Sequence, residues 1–224
     1  MITGAEWEVL RLSFLVAVCC VGLSLPPGVL LGWALARSDF RGKAIVDGIC
    51  HLPLVLPPVV TGYLLLILFS RRGPVGSVLE EWGIRLAFDW KGAVLASAIV
   101  GFPLMLRSIR LAVESVDPRL ESAARTLGSG PFRAFCEVTL PLALPGVLVG
   151  ALLTFARSLG EFGATITFAS NIPGETQTLP LAIFSQIQQP GGEASAFRLV
   201  LVSVVVSFGA LLASEALSRR LKRA

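Results

Sequence analysis

Two charged residues, Arg157 and Glu161, lie inside a long apolar stretch of this 224-residue chain. Charged side chains are costly inside a bilayer and usually mark an ion pair or a functional site there. Their four-residue spacing places both side chains on one face of a helix, close enough to pair. The sequence leaves two interpretations open: a structural ion pair between helices, or a pair beside a pathway through the membrane.

The sequence lacks the common motifs for catalysis and nucleotide binding. No GxxxxGK[ST], GxSxG or HExxH motif occurs, so neither a phosphate-binding loop nor a familiar hydrolase site is present. The single histidine, His51, has no metal-ligand spacing with any of the four cysteines, Cys19, Cys20, Cys50 and Cys136. We therefore predict a non-catalytic chain with no cofactor and no metal, whose energy must come from a partner subunit.

The composition identifies the class of protein that carries these residues. Hydrophobic residues make up 54% and charged residues 15% of the chain, with a mean hydropathy of +0.77. Soluble proteins carry about 25% charged residues, so a water-exposed surface is excluded. The net charge of +4 does not indicate nucleic-acid binding, because the basic residues stand between apolar segments. We predict an all-α integral membrane protein with lipid around it.

Five apolar segments are long enough to cross a hydrocarbon core of about 30 Å as helices. The first is interrupted by Pro26–Pro27, and the second contains Pro57–Pro58 in its first half, where internal prolines kink a helix. The segment 178–188 (TLPLAIFSQIQ) is too short to cross, but it can enter the bilayer as a re-entrant or sixth segment. With no cleavable signal peptide expected, the first segment stays as an anchor. The predicted spans cover about residues 9–36, 45–70, 92–113, 138–168 and 196–217.

The basic residues predict an orientation. If five spans alternate, twelve of the nineteen Lys and Arg residues fall on one side. These are Arg37, Arg41, Lys43, Arg107, Arg110, Arg119, Arg125, Arg133, Arg219, Arg220, Lys222 and Arg223. Because cytoplasmic loops carry the excess of Lys and Arg, the N-terminus is expected outside and the C-terminus in the cytoplasm.

The connection at about residues 114–139 has the features of a helical element outside the membrane. Asp117–Pro118 is a typical helix start, and Gly128 is a typical helix end. Gly130–Pro131 then opens a second short segment that leads to the next span at Leu140–Pro141. The small residues at 122–124 allow another surface to approach closely. Such an element can transmit the motion of a cytoplasmic partner into the membrane helices.

This connection resembles the EAA loop of type I ABC importer permeases. The sequence ESAARTLGSGPFRAFCEVTLPLALPG, residues 121–146, places an alanine pair, a glycine and a Leu-Pro ending at the spacing of that motif. The glutamate position of the motif holds Ser122, and the acid stands one residue earlier at Glu121. The resemblance implies a coupling loop that contacts an ATPase through Glu121, Ser122, Ala123, Ala124, Gly128, Leu140 and Pro141.

The resemblance covers nearly the whole chain and is closest to the permease subunits of molybdate importers. Residues 51–66, 102–117 and 157–180 carry it, and the GEFGAT block within the last range is shared with sulfate and thiosulfate permeases. It implies one transmembrane domain over 1–224 (core about 9–217) with the type I importer fold. It also implies a homodimer in a bacterial inner membrane, two cytoplasmic ATPase subunits, a periplasmic molybdate-binding protein and transport by alternating access.

Within that framework, the residues around the charged pair are candidates for the anion pathway. An unpaired Glu161 would repel a dianion, so neutral hydroxyls are better suited to guide the substrate, and glycines permit close approach of helices. We predict a weakly binding pathway lined by Arg157, Ser158, Gly160, Glu161, Gly163, Thr165 and Thr167.

Other functions remain as alternatives. A sulfate, thiosulfate or tungstate permease has the same architecture. An ion-coupled secondary transporter would show inverted repeats and corresponding broken helices, and no such repeat is visible. An intramembrane enzyme would need a larger set of convergent polar groups than Arg157 and Glu161 supply.

Overall fold

The structure, a computed structural model, describes residues 3–221, and all regular elements in that range are helices. Lys222 and Arg223, two of the basic residues used to predict orientation, lie outside the described residues. The helices are α1 Gly4–Arg37, α2 Lys43–Val55, α3 Pro58–Phe69, α4 Gly76–Glu81, α5 Trp90–Ser115, α6 Pro118–Thr126, α7 Pro131–Ala134, α8 Leu140–Leu159, α9 Gly163–Phe168, α10 Leu179–Ile187 and α11 Glu193–Leu221. A π-helical turn, Phe135–Thr139, joins α7 to α8.

Four helical segments are long and apolar enough to cross a membrane, and the α2–α3 pair is a fifth if its two halves form one span. The four are Gly4–Arg37, Trp90–Ser115, Pro131–Leu159 and Glu193–Leu212. The predicted all-α membrane architecture is therefore confirmed. Three details are wrong: the interruption of the first span, the kink in the second and the ends of the fourth.

The first correction concerns α1, which runs through Pro26–Pro27 without interruption. Proline removes a backbone donor, but its fixed φ is compatible with a helix, so a continuous helix survives. A capping box starts α1: the Thr3 hydroxyl accepts from the Glu6 N–H, and the Glu6 carboxylate accepts from the Thr3 N–H. This reciprocal pair satisfies two free donors of the first turn.

The second correction concerns the second span, which is broken rather than kinked. Helices α2 and α3 meet at an angle of 114° around Leu56 and Pro57. Both residues precede a proline and are extended, with ψ of 142° and 132°. The ring of a following proline disfavours a helical backbone, and here, unlike at Pro26–Pro27, both residues leave the helix.

The third correction concerns the fourth span. Helix α8 ends at Leu159, and α9 is a separate helix, so the predicted span 138–168 is wrong at its end. It is also wrong at its start, because α7, the π-helical turn and α8 follow one another without a break from Pro131. Leu140–Pro141 therefore lies inside a continuous helical segment and does not begin it.

Helix α5 forms the centre of the bundle, between α1 and α8. Met105 and Ile109 are fully buried there and pack against Ala143 and Val147 of α8. Close approach requires glycine: a Cβ at Gly32 of α1 would lie 2.8 Å from Ile109 Cγ2. Buried apolar contact in this layer fixes α5 and α8 relative to each other.

Helix α10 has nine residues, about half the length needed to cross a bilayer. It packs on α1 and α11 through Leu179 and Ala182, which contact Val9 and Leu199. The Ser13 hydroxyl of α1 accepts a hydrogen bond from the Leu179 N–H at 2.7 Å. The segment therefore enters the bundle without spanning it, as its length predicts.

Candidate functional site

The break between α8 and α9 brings the intramembrane charges together. Arg157 Nη2 lies 2.7 Å from Glu161 Oε2, and the Glu161 side chain is 2% exposed. The predicted pairing is present, but the expected geometry is wrong, because Glu161 stands beyond the end of α8. Its other oxygen accepts a hydrogen bond from the Ala164 N–H at 2.9 Å. Glu161 therefore neutralises Arg157 and caps the first turn of α9, where a negative charge is favourable.

Helix α9 packs tightly on α3 through two glycines. A Cβ at Gly62 would lie 2.6 Å from the Ala164 carbonyl oxygen, and one at Gly163 would lie 2.9 Å from Pro58 Cβ. These contacts are shorter than any side chain tolerates. The Thr167 hydroxyl is satisfied within α9, donating to the Gly163 carbonyl at 2.8 Å. The two half-length helices α3 and α9 thus form one close-packed unit.

The predicted pathway residues divide into two groups. Arg157, Gly160 and Glu161 meet at the break, where Gly160 is exposed. Ser158 and Thr165 are buried within this chain, and the Ser158 hydroxyl has no hydrogen-bond partner. Among the described residues, four further buried hydroxyls have no partner: those of Ser24, Thr61, Ser97 and Thr178. A buried hydroxyl without a partner is unusual, and it can bind a water molecule or rearrange with a conformational change.

The connection between α5 and α8 contains the helix predicted from sequence. Asp117 caps α6 by accepting from the Arg119 N–H at 2.9 Å. The helix stops before Gly128, whose φ is +91°. This left-handed conformation is readily available to glycine alone.

Three elements are held together by the Glu121 carboxylate, an arrangement that we call the clasp (Arg37, Val116, Glu121 and Thr139). Arg37 Nε lies 3.1 Å from Glu121 Oε1, and Arg37 Nη2 donates to the Val116 carbonyl at 2.7 Å. The Thr139 hydroxyl donates to the same carboxylate oxygen. The Arg37 and Glu121 side chains are only 14% and 19% exposed. Glu121 therefore faces its own chain, linking α6 to the end of α1 and to the π-helical turn.

The outer face of the loop has a different composition. Ser122, Ala123 and Gly128 are exposed, and Leu127 is 88% exposed. Phe132 is also mostly exposed. Exposed apolar side chains beside small residues are typical of a protein contact surface. Ala124 is half-buried, Leu140 packs against the core, and Pro141 is exposed in the first turn of α8.

Sequence reasoning missed two residues of the clasp. Arg37 was assigned only a topological role, and Thr139 none. Arg37 and Glu121 are 84 positions apart, so no local spacing relates them. The sequence carries no signal for this contact, because the burial of Arg37 and Glu121 is visible only in the tertiary structure. Among residues 3–221, no three His, Cys, Asp or Glu side chains come together as metal ligands.

The profile of the family described as "Binding-protein-dependent transport system inner membrane component" matches residues 28–223. The molybdenum transport system permease protein ModB of Escherichia coli (strain K12) is 56% identical over 220 residues, which cover 98% of this chain and 96% of that protein. The sulfate transport system permease protein CysT of the same organism is 36% identical over 207 residues, covering 91% and 74%. A crystal structure of a bacterial ABC transporter that imports alginate superposes with a TM-score of 0.77 at 17% identity, covering 97% and 80%.

Proposed function

Because this chain belongs to the family of binding-protein-dependent transport system inner membrane components, we propose that it is the permease subunit of an ABC importer that moves molybdate into the cytoplasm. The observation that carries the substrate is the identity of 56% to a molybdenum permease over nearly the full length of both chains. The sulfate permease is only 36% identical and extends beyond this chain. The whole described chain forms one membrane domain, with the coupling loop at about 114–139.

The importer needs partners that this chain does not supply. We propose that two copies of the chain form the membrane unit, with two cytoplasmic ATPase subunits below and a periplasmic molybdate-binding protein above. Support for the ATPase contact comes from the loop, where Leu127 and Phe132 are exposed beside small residues. Because no phosphate-binding loop occurs in the sequence, ATP hydrolysis belongs to the partner and this subunit is not an enzyme.

The proposed mechanism is alternating access driven through the coupling loop. When ATP closes the two ATPase subunits, α6 moves with them. The clasp links α6 to the end of α1 through Arg37 and to the start of the Pro131–Leu159 segment through Thr139. Displacement of α6 is therefore passed to two membrane helices at once, which opens the dimer to the outside. Hydrolysis returns it to the inward-facing state.

Several residues near the break suit an anion pathway that binds weakly. Arg157 and Glu161 neutralise each other, so a dianion passing beside them meets no net charge. Gly160 exposes its backbone, whereas the Ser158 hydroxyl is buried without a partner and becomes available when the helices rearrange. A pathway without a strongly attractive site releases its substrate readily. Gly163, Thr165 and Thr167 do not line the break directly. They belong to α9, whose close packing on α3 sets the shape of the pathway.

A second candidate function, import of sulfate, thiosulfate or tungstate, has the same architecture and a related sulfate permease. The ATPase activity of the chain, co-purified with its ATPase partner in lipid, separates these substrates. Binding protein loaded with molybdate, tungstate or sulfate is added in turn. We expect stimulation by the molybdate-loaded form. Stimulation by the sulfate-loaded form alone would contradict the substrate, and failure to bind any ATPase would contradict the importer.

A further inference from the structure

A cationic pocket lies at the Trp90 end of α5, whereas the coupling loop follows its Ser115 end. The pocket has a volume of about 290 Å³ and is lined by three arginines, Arg71, Arg72 and Arg85, and one acid, Glu80. Arg71 pairs with Glu80 at 3.0 Å. Among the described residues, Arg72 and Arg85 have no ion-pair partner, so the pocket keeps two uncompensated positive charges.

An apolar trough leads away from this pocket along α5. A cavity of about 440 Å³ shares Phe69 and Leu86 with the pocket. It is also lined by Leu23 of α1 and by Lys91 in the first turn of α5. A further cavity of about 340 Å³ shares Leu23 and Leu95 with it and reaches Phe102. Because neighbouring cavities share lining residues, the pocket and the two cavities lie side by side along α5, and we call the three together the path. Its cations are at one end, and the rest is almost entirely apolar.

Aromatic residues place the cationic end at the depth of the lipid headgroups. Trp82, which follows α4, is 78% exposed, and Phe88 is more than half exposed. Trp90 lines the trough beside Lys91. Tryptophan concentrates at the boundary between hydrocarbon and water, where its ring is in the apolar layer and its N–H in the polar one. The pocket therefore opens at headgroup level, and the trough runs into the hydrocarbon layer.

We propose that this path is a binding site for an anionic phospholipid. The phosphate is held by Arg72, Arg85 and Lys91, and one acyl chain occupies the trough between α1 and α5. A lipid matches both halves of the site: its charge compensates the unpaired arginines, and its chain covers Leu23 and Leu95. An apolar helix of a second copy would cover the trough but leave the cations uncompensated at the membrane surface. The site is independent of the transported substrate.

Native mass spectrometry of the purified permease–ATPase complex, equilibrated with equal amounts of phosphatidylglycerol and phosphatidylethanolamine, tests this proposal. A basic residue near an anionic membrane surface contributes about 1 kcal/mol, or about fivefold in binding. Arg72→Gln combined with Arg85→Gln should therefore reduce retained phosphatidylglycerol by about 25-fold. Arg11→Gln removes an exposed charge from the same end of the bundle and does not touch the path, so retention should be unchanged.

A second variant tests the trough separately. Leu23 is about half exposed, so Leu23→Trp fills the trough without disturbing a packed core. Leu23→Trp should lower phosphatidylglycerol retention. Separately, in the chain with Leu23 intact, phosphatidylglycerol with brominated chains should quench the emission of Trp90, obtained as the difference from Trp90→Phe. Three results would overturn the proposal: retention unaffected by both variants, displacement of the lipid by millimolar inorganic phosphate, or dissociation of the dimer by Leu23→Trp with retention insensitive to the arginines.

Discussion

At the scale of single residues, Glu161 makes two different contacts, so most substitutions at this position would remove both at once. One oxygen compensates Arg157, and the other caps α9. The sequence predicted the pair from its spacing, but it could not predict the cap, because the cap depends on the helix ending at Leu159. The residue types predict an ion pair, whereas the direction in which each carboxylate oxygen points is known only from the fold.

We predict that Glu161→Ala lowers the free energy of unfolding by about 3 kcal/mol, because Arg157 is left as an uncompensated charge with only 30% exposure. Replacing both residues by methionine should cost less, since an apolar pair carries no desolvation penalty. The midpoint of thermal unfolding of the purified protein measures both effects. An unchanged midpoint for Glu161→Ala would show that the pair does not stabilise the break. Glu161→Gln is the matched control for the cap, because its amide oxygen can still accept from Ala164.

We also predict that reversing either charge of the clasp uncouples the ATPase from the membrane. Hydrogen bonds to charged groups contribute about 1.5–3 kcal/mol, so Arg37→Glu or Glu121→Arg should reduce stimulation by loaded binding protein about tenfold or more. The double variant with exchanged charges should regain part of it. Arg41→Gln, which changes an exposed arginine near the same helix end, is the control. Equal loss in the single and double variants would argue against a direct Arg37–Glu121 coupling.

At the scale of elements, two Pro-Pro pairs have opposite outcomes. Helix α1 continues through Pro26–Pro27, whereas the chain turns by 114° at Pro57–Pro58. Both sites contain Leu-Pro-Pro, so the prolines alone do not decide the outcome, and the packing around them differs. Gly28 and Gly32 of α1 lie against Met105 and Ile109 along a long contact with α5. Helix α3, in contrast, packs on the short α9 through Gly62. Helix existence was predictable from sequence, but the fate of each proline was not.

Helix α6 offers a test of the coupling loop as an element. Gly128 has φ of +91°, and a Cβ there would meet no atom within 4 Å, so only backbone strain opposes Gly128→Ala. That strain is about 1 kcal/mol, which should lower the amount of ATPase retained by the affinity-tagged permease about fivefold. Gly130→Ala is the matched control, because Gly130 has φ of −67° and is equally open. Equal retention by the two variants would show that the end of α6 does not set the docking geometry.

At the scale of the whole molecule, the orientation stays a prediction from the distribution of basic residues. Cys136 is a free, exposed cysteine on the coupling-loop side. In a variant whose other three cysteines are alanine, a membrane-impermeant maleimide should label Cys136 only in inside-out vesicles. A Gln189→Cys variant that also lacks Cys136 places the thiol on the exposed loop before α11 and should show the reverse. Labelling of Cys136 from the outside would reverse the proposed topology.

The membrane class and the helical character followed directly from composition, because few charges and long apolar segments leave no other solution. The path between α1 and α5 was invisible in the sequence, since Leu23 is far along the chain from Leu86 and Leu95. The same applies to the clasp. A contact among three helical elements depends on how those elements pack in the bundle, and the sequence pattern within any one element does not reveal it.

The unbroken helical segment from Pro131 to Leu159 has a consequence for how the chain tolerates changes in length. Each residue of a helix advances the rotation by about 100°. Deleting one residue within this segment would rotate Ser158 by about 100° around the helix axis relative to Phe132, away from the neighbours that it now faces. The exposed loop between Arg37 and Lys43 imposes no such phase relation. Insertions and deletions should therefore be tolerated in that loop and be rare between positions 131 and 159.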